Sequence, residues 1–73
     1  MSFDKRLAIF LLEQSVSAKT DTLNLTHDYI AKNMGTAREV VSRMLKYFQT
    51  EGIVSLSRGT ITITDKNKLK KLI

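Results

Sequence analysis

The run from Leu25 to Phe48, LTHDYIAKNMGTAREVVSRMLKYF, carries two helical periods broken at a single glycine, Gly35. After the break, Ala37, Val40, Val41, Met44, Leu45 and Phe48 fall at i, i+3, i+4, i+7, i+8 and i+11, which gathers them into one stripe on a helical repeat. That stripe is expected to face a core. Arg38, Glu39, Ser42, Arg43 and Lys46 share the other side, the first four crowded into its N-terminal half. Before the break, Thr26 is a suitable N-cap, and Ile30, Ala31 and Met34 form the apolar side of a shorter helix, with Tyr29 adding bulk. Gly35 takes positive φ without a Cβ clash, so it stops the first helix, and the small Ala31 lets the two helices approach closely. Thr36 then reads as the N-cap of the second helix, with Glu39 completing a Thr-x-x-Glu capping box. The pattern is that of a helix-turn-helix over residues 26–49, with residues 36–49 as the recognition helix. The N-terminal half of such a helix is the part that enters a DNA major groove.

The flanking segments supply a scaffold. Phe3, Leu7, Ala8, Phe10, Leu11 and Leu12 predict a first helix over about residues 3–15, opened by Ser2 or Asp4 and followed by a polar loop from Ser15 to Asp21. Thr22 to Leu25 alternates and predicts a brief strand. From Ile53 to Thr64 the apolar period switches from helical to alternating, after Gly52 has closed the recognition helix. With Arg58 and Gly59 as a two-residue turn, Leu56 faces Ile61 and Val54 faces Ile63, leaving Ser55, Ser57, Thr60, Thr62 and Thr64 on the other face. A hairpin alone is marginal, so the Leu23 to Leu25 segment is the natural third strand. A hairpin directly after a recognition helix is a wing. Asp65 caps a short helix over residues 65–72, in which Leu69, Leu72 and Ile73 pack back. The expected class is mainly α with a small antiparallel β-sheet (α+β), a winged helix-turn-helix forming one domain over residues 1–73.

Composition narrows the chemistry. A chain of 73 residues sits near the lower limit for a core without staples. It has no cysteine, which removes disulfides, thiolate nucleophiles and cysteine metal sites and fits a cytoplasmic setting. The one histidine, His27, has no ligand cluster in the sequence and reads as an exposed first-turn residue, so no metal is expected. The apolar stretch from Leu7 to Leu12 is too short to span a bilayer and lacks signal-peptide flanks. The net charge of +5, from 12 basic and 7 acidic residues, favours a polyanionic partner. Of the basic groups, Lys32, Arg38, Arg43, Lys46 and Arg58 lie in the motif or its hairpin. Lys66, Lys68, Lys70 and Lys71 crowd the C-terminus, where a solvated face is the simpler reading than phosphate contact.

The string Leu25-Thr26-His27-Asp28-Tyr29-Ile30-Ala31, then Gly35-Thr36-Ala37-Arg38-Glu39-Val40-Val41-Ser42-Arg43-Met44-Leu45, then Gly52-Ile53-Val54 before the wing, resembles the C-terminal DNA-binding domain of the Crp/Fnr family, named for the catabolite activator protein and the fumarate-nitrate regulator. The match covers nearly the whole chain. The resemblance implies that Arg38, Glu39 and Arg43 are principal base readers, with Ser42 contributing as in some branches. It also implies a homodimeric bacterial transcription regulator that reads an inverted repeat and contacts RNA polymerase. Family members carry an N-terminal cyclic-nucleotide-binding-type β-barrel and a long dimerisation helix, both missing here. The expectation is therefore a domain excised from a longer regulator, with Met1, alone or with Ser2, added. No cofactor is expected in this domain, and the effector of the parent is left open.

Chemistry assigns the roles further. Arg38 and Arg43 have planar forks suited to guanine O6 and N7, each bidentate pair worth about 1–3 kcal/mol of discrimination. Glu39 only accepts and suits a cytosine amino group, although a capping box with Thr36 or an i,i+4 pair with Arg43 would occupy it without DNA. Thr26, Thr36, Lys46 and Arg58 are the candidate phosphate contacts, the two threonines through the helix N-termini they open. A reading from another class is a winged helix that binds protein, against which the clustering of Arg38, Glu39, Ser42 and Arg43 argues. An enzyme is not expected: Asp28, Glu39, Glu51 and Asp65 lie on separate elements, with no nucleophile-base pair or glycine-rich phosphate loop.

Overall fold

The computed structural model describes residues 2–73. In chain order the elements are α1 (Phe3–Ala18), β1 (Thr22–Leu23), α2 (His27–Met34), α3 (Arg38–Thr50), β2 (Val54–Ser57), β3 (Thr60–Ile63) and α4 (Lys66–Lys71). The three strands form one antiparallel sheet in the order β1-β3-β2. The mainly α class with a small sheet, and the winged helix-turn-helix arrangement, are as the sequence implies. Among the described residues, no helix is long and apolar enough to cross a membrane.

The hairpin register follows the alternation: Val54 pairs with Ile63 and Leu56 with Ile61, and the turn falls on Arg58 and Gly59, between the paired Ser57 and Thr60. Leu23 of β1 lies opposite Ile61 from the other side of β3. Leu23, Ile61 and Leu56 thus form one cross-strand apolar row, with Val54 and Ile63 beside it. That face closes the core. Below it pack Leu7, Ala8 and Leu11 of α1, Ile30 and Ala31 of α2, Val41, Leu45 and Phe48 of α3, and Leu69 of α4, with Phe48 the largest fully buried side chain.

Three local expectations are corrected. Helix α1 does not stop before Ser15 but continues to Ala18. Ser15 is buried and its hydroxyl donates to the Leu12 carbonyl at 2.8 Å, so the helix itself satisfies the polar side chain. The helix ends at Lys19, in the left-handed region at φ 57°, with Thr20 N–H bonded back to the Ser15 carbonyl. A lysine there costs about 1–2 kcal/mol relative to a right-handed conformation and leaves no terminator in the sequence. The strand expected over residues 22–25 covers only Thr22–Leu23, after which Leu25 turns, half-buried, toward α2.

The third correction lies in the turn. Gly35 adopts φ 65°, and Thr36 N–H bonds the Ala31 carbonyl at 3.0 Å, closing α2. Thr36 is therefore spent on the end of α2. The extended residue that opens α3 is Ala37, which has no side-chain acceptor, and the Thr36–Glu39 capping box does not form. The opening of α2 is as expected: Thr26 Oγ1 accepts the Tyr29 N–H at 3.1 Å. At its other end, Arg6 Nη2 donates to the Met34 carbonyl at 3.0 Å, so α1 holds the helix pair by a cation at a helix C-terminus.

The stripe on α3 is also narrower than its spacing predicts. Val41, Leu45 and Phe48 are fully buried and Met44 partly so, whereas Ala37 and Val40 are exposed. Helix α3 touches the core along one edge only. Its outer edge is free for other contacts.

Candidate nucleic-acid interface

On that outer edge, Arg38, Glu39, Ser42 and Arg43 line one open depression on the N-terminal half of α3. The arginines and Glu39 are exposed and Ser42 is half-buried. One turn of helix brings position 38 over 42, and 39 over 43, so the geometry is a direct product of i,i+4 spacing. Glu39 makes neither the capping contact nor an ion pair with Arg43: among the described residues the ion pairs are Arg38 with Asp28 and Lys66 with Asp21.

The first turn of α2 braces this face, by contacts that sequence spacing did not announce. Arg38 Nε lies 3.6 Å from Asp28 Oδ1. Ser42 Oγ lies 2.8 Å from Nδ1 of His27, which is half-buried rather than exposed as its sequence position suggested. Ten and fifteen residues of chain separate these partners. Only the crossing of α2 and α3 joins them, and no local motif encodes that angle.

A second opening, a cleft of about 290 Å³, separates the start of α2 from the wing. Thr26, His27 and Arg38 line one side, and Ser57, Arg58 and Thr60 the other. Two of the expected phosphate contacts, Thr26 and Arg58, thus meet around one cleft, with Arg58 exposed at the hairpin tip. Thr36 lies half-buried in the turn, and Lys46 is exposed on α3 beyond Ser42 and Arg43, lining neither opening. On the other flank, Val40, Arg43, Met44 and Tyr47 form an open groove with Asp4 of α1. A hydrogen bond from the Ser2 hydroxyl, joined by one from the Lys5 N–H, holds the Asp4 carboxyl below its usual range.

The C-terminal lysines divide. Lys66 pairs with Asp21 at 2.9 Å and Lys68 Nζ donates to the Glu51 carbonyl at 3.0 Å, so both fasten α4 to the body of the fold. Lys70 and Lys71 remain exposed.

The same fold occurs in solved regulators. A transcriptional regulator of the Crp/Fnr family from Eubacterium rectale is 54% identical and superposes with a TM-score of 0.95, over 97% of this chain and 33% of that one. The catabolite activator protein of Thermus thermophilus is 30% identical with a TM-score of 0.87, over 94% of this chain and 32% of its own. An anaerobic regulatory protein of Haemophilus influenzae is 34% identical over 79 aligned positions, which take in 99% of this chain and 31% of that protein. The chain therefore spans about a third of the length of these relatives. The Crp-like helix-turn-helix domain family matches residues 5–72, and the chain belongs to that family, within the Crp/Fnr transcription regulators.

Proposed function

We propose that this domain binds double-stranded DNA sequence-specifically for transcription regulation, with α3 in the major groove. The observation that carries the reading is the placement of Arg38, Glu39, Ser42 and Arg43 around one open depression on the same face of α3, soon after the Gly35 bend. A major groove about 12 Å wide admits an α-helix. Arg38 and Arg43 are the readers of guanine edges and Glu39, free of its local partners, accepts from a cytosine amino group. Ser42 contributes a hydroxyl to the same reading. Arg58 on the wing, Thr26 at the start of α2, Thr36 in the turn and Lys46 farther along α3 contact phosphates and set the register. The net charge of +5 and the regulators among its relatives support the same conclusion.

In the parent regulator, two copies related by a two-fold axis read an inverted repeat with half-sites about 34 Å apart, and the assembled dimer contacts RNA polymerase. The isolated domain binds weakly, because it lacks the second linked contact. Selection of bound sites from a random duplex pool tests the proposal: enrichment of one sequence supports it, and recovery of the starting pool rejects sequence reading.

A second reading, a winged helix that docks on protein, draws on the half-exposed Val40 and Tyr47 in the groove beside Arg43. Retention on heparin or random duplex, lost steeply as salt rises, separates the two, since a protein-docking module has little duplex affinity.

A further inference from the structure

Ser42 does not face the groove as a free hydroxyl. Its Oγ is 2.8 Å from Nδ1 of His27, and both side chains are half-buried at the junction of α2 and α3. A serine hydroxyl has one proton and two acceptor lone pairs, and its proton rotates to suit any neighbour. Left alone, such a group contacts several base edges about equally well, which is why serine is a permissive reader.

The histidine narrows that permissiveness. When Nδ1 carries no hydrogen, Ser42 gives its only proton to His27 and offers the groove lone pairs alone, a match for the amino group of adenine or cytosine. When Nδ1 carries the hydrogen, Ser42 accepts from it. The serine proton is then left for a purine N7, a guanine O6 or a thymine O4. In the first arrangement the hydroxyl is left acceptor-only; in the second it keeps its proton and one lone pair, and in both the contact fixes its rotamer and the direction in which the remaining sites point.

We infer that His27 is a specificity-determining positioning residue: by holding Ser42 Oγ across the helix crossing, it aims a permissive hydroxyl at a single base pair and narrows what that hydroxyl reads there. This rests on the DNA-reading function proposed above. His27 acts through Ser42, not as a base contact of its own. Because His27 also lines the cleft shared with Arg38 and Arg58, the competing role for it is a phosphate contact, which weakens binding at all sequences alike when lost.

The test compares the full chain with S42A, H27L, H27N and the H27L/S42A double variant. Random-duplex selection is followed by competition binding on the selected site and its single-base variants. S42A loses about 5-fold of preference at one base pair, the scale of one net hydrogen bond. H27L loses a similar factor at that same base pair, and the double variant loses no more than either single change. H27N keeps most of the preference, because its amide places a polar atom where Nδ1 stood. Preference is a ratio between two duplexes and does not depend on how much of the chain is folded, so partial unfolding cannot imitate the result.

The inference is overturned if H27L weakens every duplex by one factor, or if it alters a base pair that S42A leaves alone. A parent chain that selects a sequence, alongside an H27L chain with unchanged preferences, ends this inference while sparing the DNA-reading function. A parent chain that selects no sequence ends both.

Discussion

Arg38 Nε sits 3.6 Å from Asp28 Oδ1 across the Gly35 turn, with both side chains about two-thirds exposed. A leading base-reading candidate is thus held by a carboxylate in the free domain. An exposed pair of this kind contributes only about 0–1 kcal/mol to stability. Near a polyanion its balance changes, since the arginine is drawn to the groove and the carboxylate is repelled by it.

Replacing Asp28 by Asn is expected to strengthen duplex binding a few-fold at low salt. Stability should fall by less than about 1 kcal/mol, for the lost pair and a lost negative charge in the first turn of α2. Anisotropy titrations and thermal melts measure the two quantities. Part of the gain should vanish in an Arg38→Ala background, because that part comes from releasing the arginine. Weaker binding by D28N would instead mean that the carboxylate orients Arg38 for its contact.

Arg43 and Arg58 lie on different elements and should fail differently. Arg43→Ala is expected to flatten base preference at the position it reads, at a cost of about 1–3 kcal/mol on the preferred site. Arg58→Ala, at the wing tip, should weaken all sequences alike and reduce the slope of log affinity against log salt by about one unit. Titrations of two unrelated duplexes over a salt series distinguish these outcomes. Equal losses at every sequence for both variants would remove Arg43 from the readers.

The elements governed by local rules were legible before the structure. Alternation, with Arg58 and Gly59 taken as a two-residue turn, predicts which residues pair across the wing, because a one-residue slip would turn Val54, Leu56, Ile61 and Ile63 to solvent. Helical spacing likewise put Arg38, Glu39, Ser42 and Arg43 on one face. What escaped was set by how elements meet. The sequence did not show that Val40 would stand clear of the core, because a helix touching along one edge buries less than its stripe allows. Nor did it show the His27–Ser42 contact, which exists only at the crossing of α2 and α3. The end of α1 was misplaced for a local reason, since Lys19 holds a backbone conformation usually marked by glycine.

The shift of the α3 cap from Thr36 to Ala37 separates two threonines of similar appearance. Thr26→Ala should cost about 1 kcal/mol, since it removes the acceptor of the Tyr29 N–H. Thr36→Ala should cost far less, because no N–H at the start of α3 bonds to its side chain. Ala37→Ser should stabilise by about 0.5–1 kcal/mol, because the extended backbone at φ −77° and ψ 147° already has the N-cap conformation. Urea titrations of the three variants rank them directly. A Thr36→Ala loss matching that of Thr26→Ala would place the cap where the sequence pattern first suggested.

Gly35 allows a cleaner test of what the turn requires, because a Cβ built there meets nothing within 4 Å. Any loss in Gly35→Ala must then come from the backbone at φ 65°, where an alanine is disfavoured by about 1–2 kcal/mol. For a domain of this size each 1 kcal/mol lowers the melting temperature by about 4–8 °C. Asn tolerates the left-handed region better than Ala, so Gly35→Asn should recover part of the loss although its side chain is larger. Folded G35A at low temperature should bind duplex as the parent does, since the added methyl points into open space. A G35N domain less stable than G35A would show that volume, not conformation, limits this position.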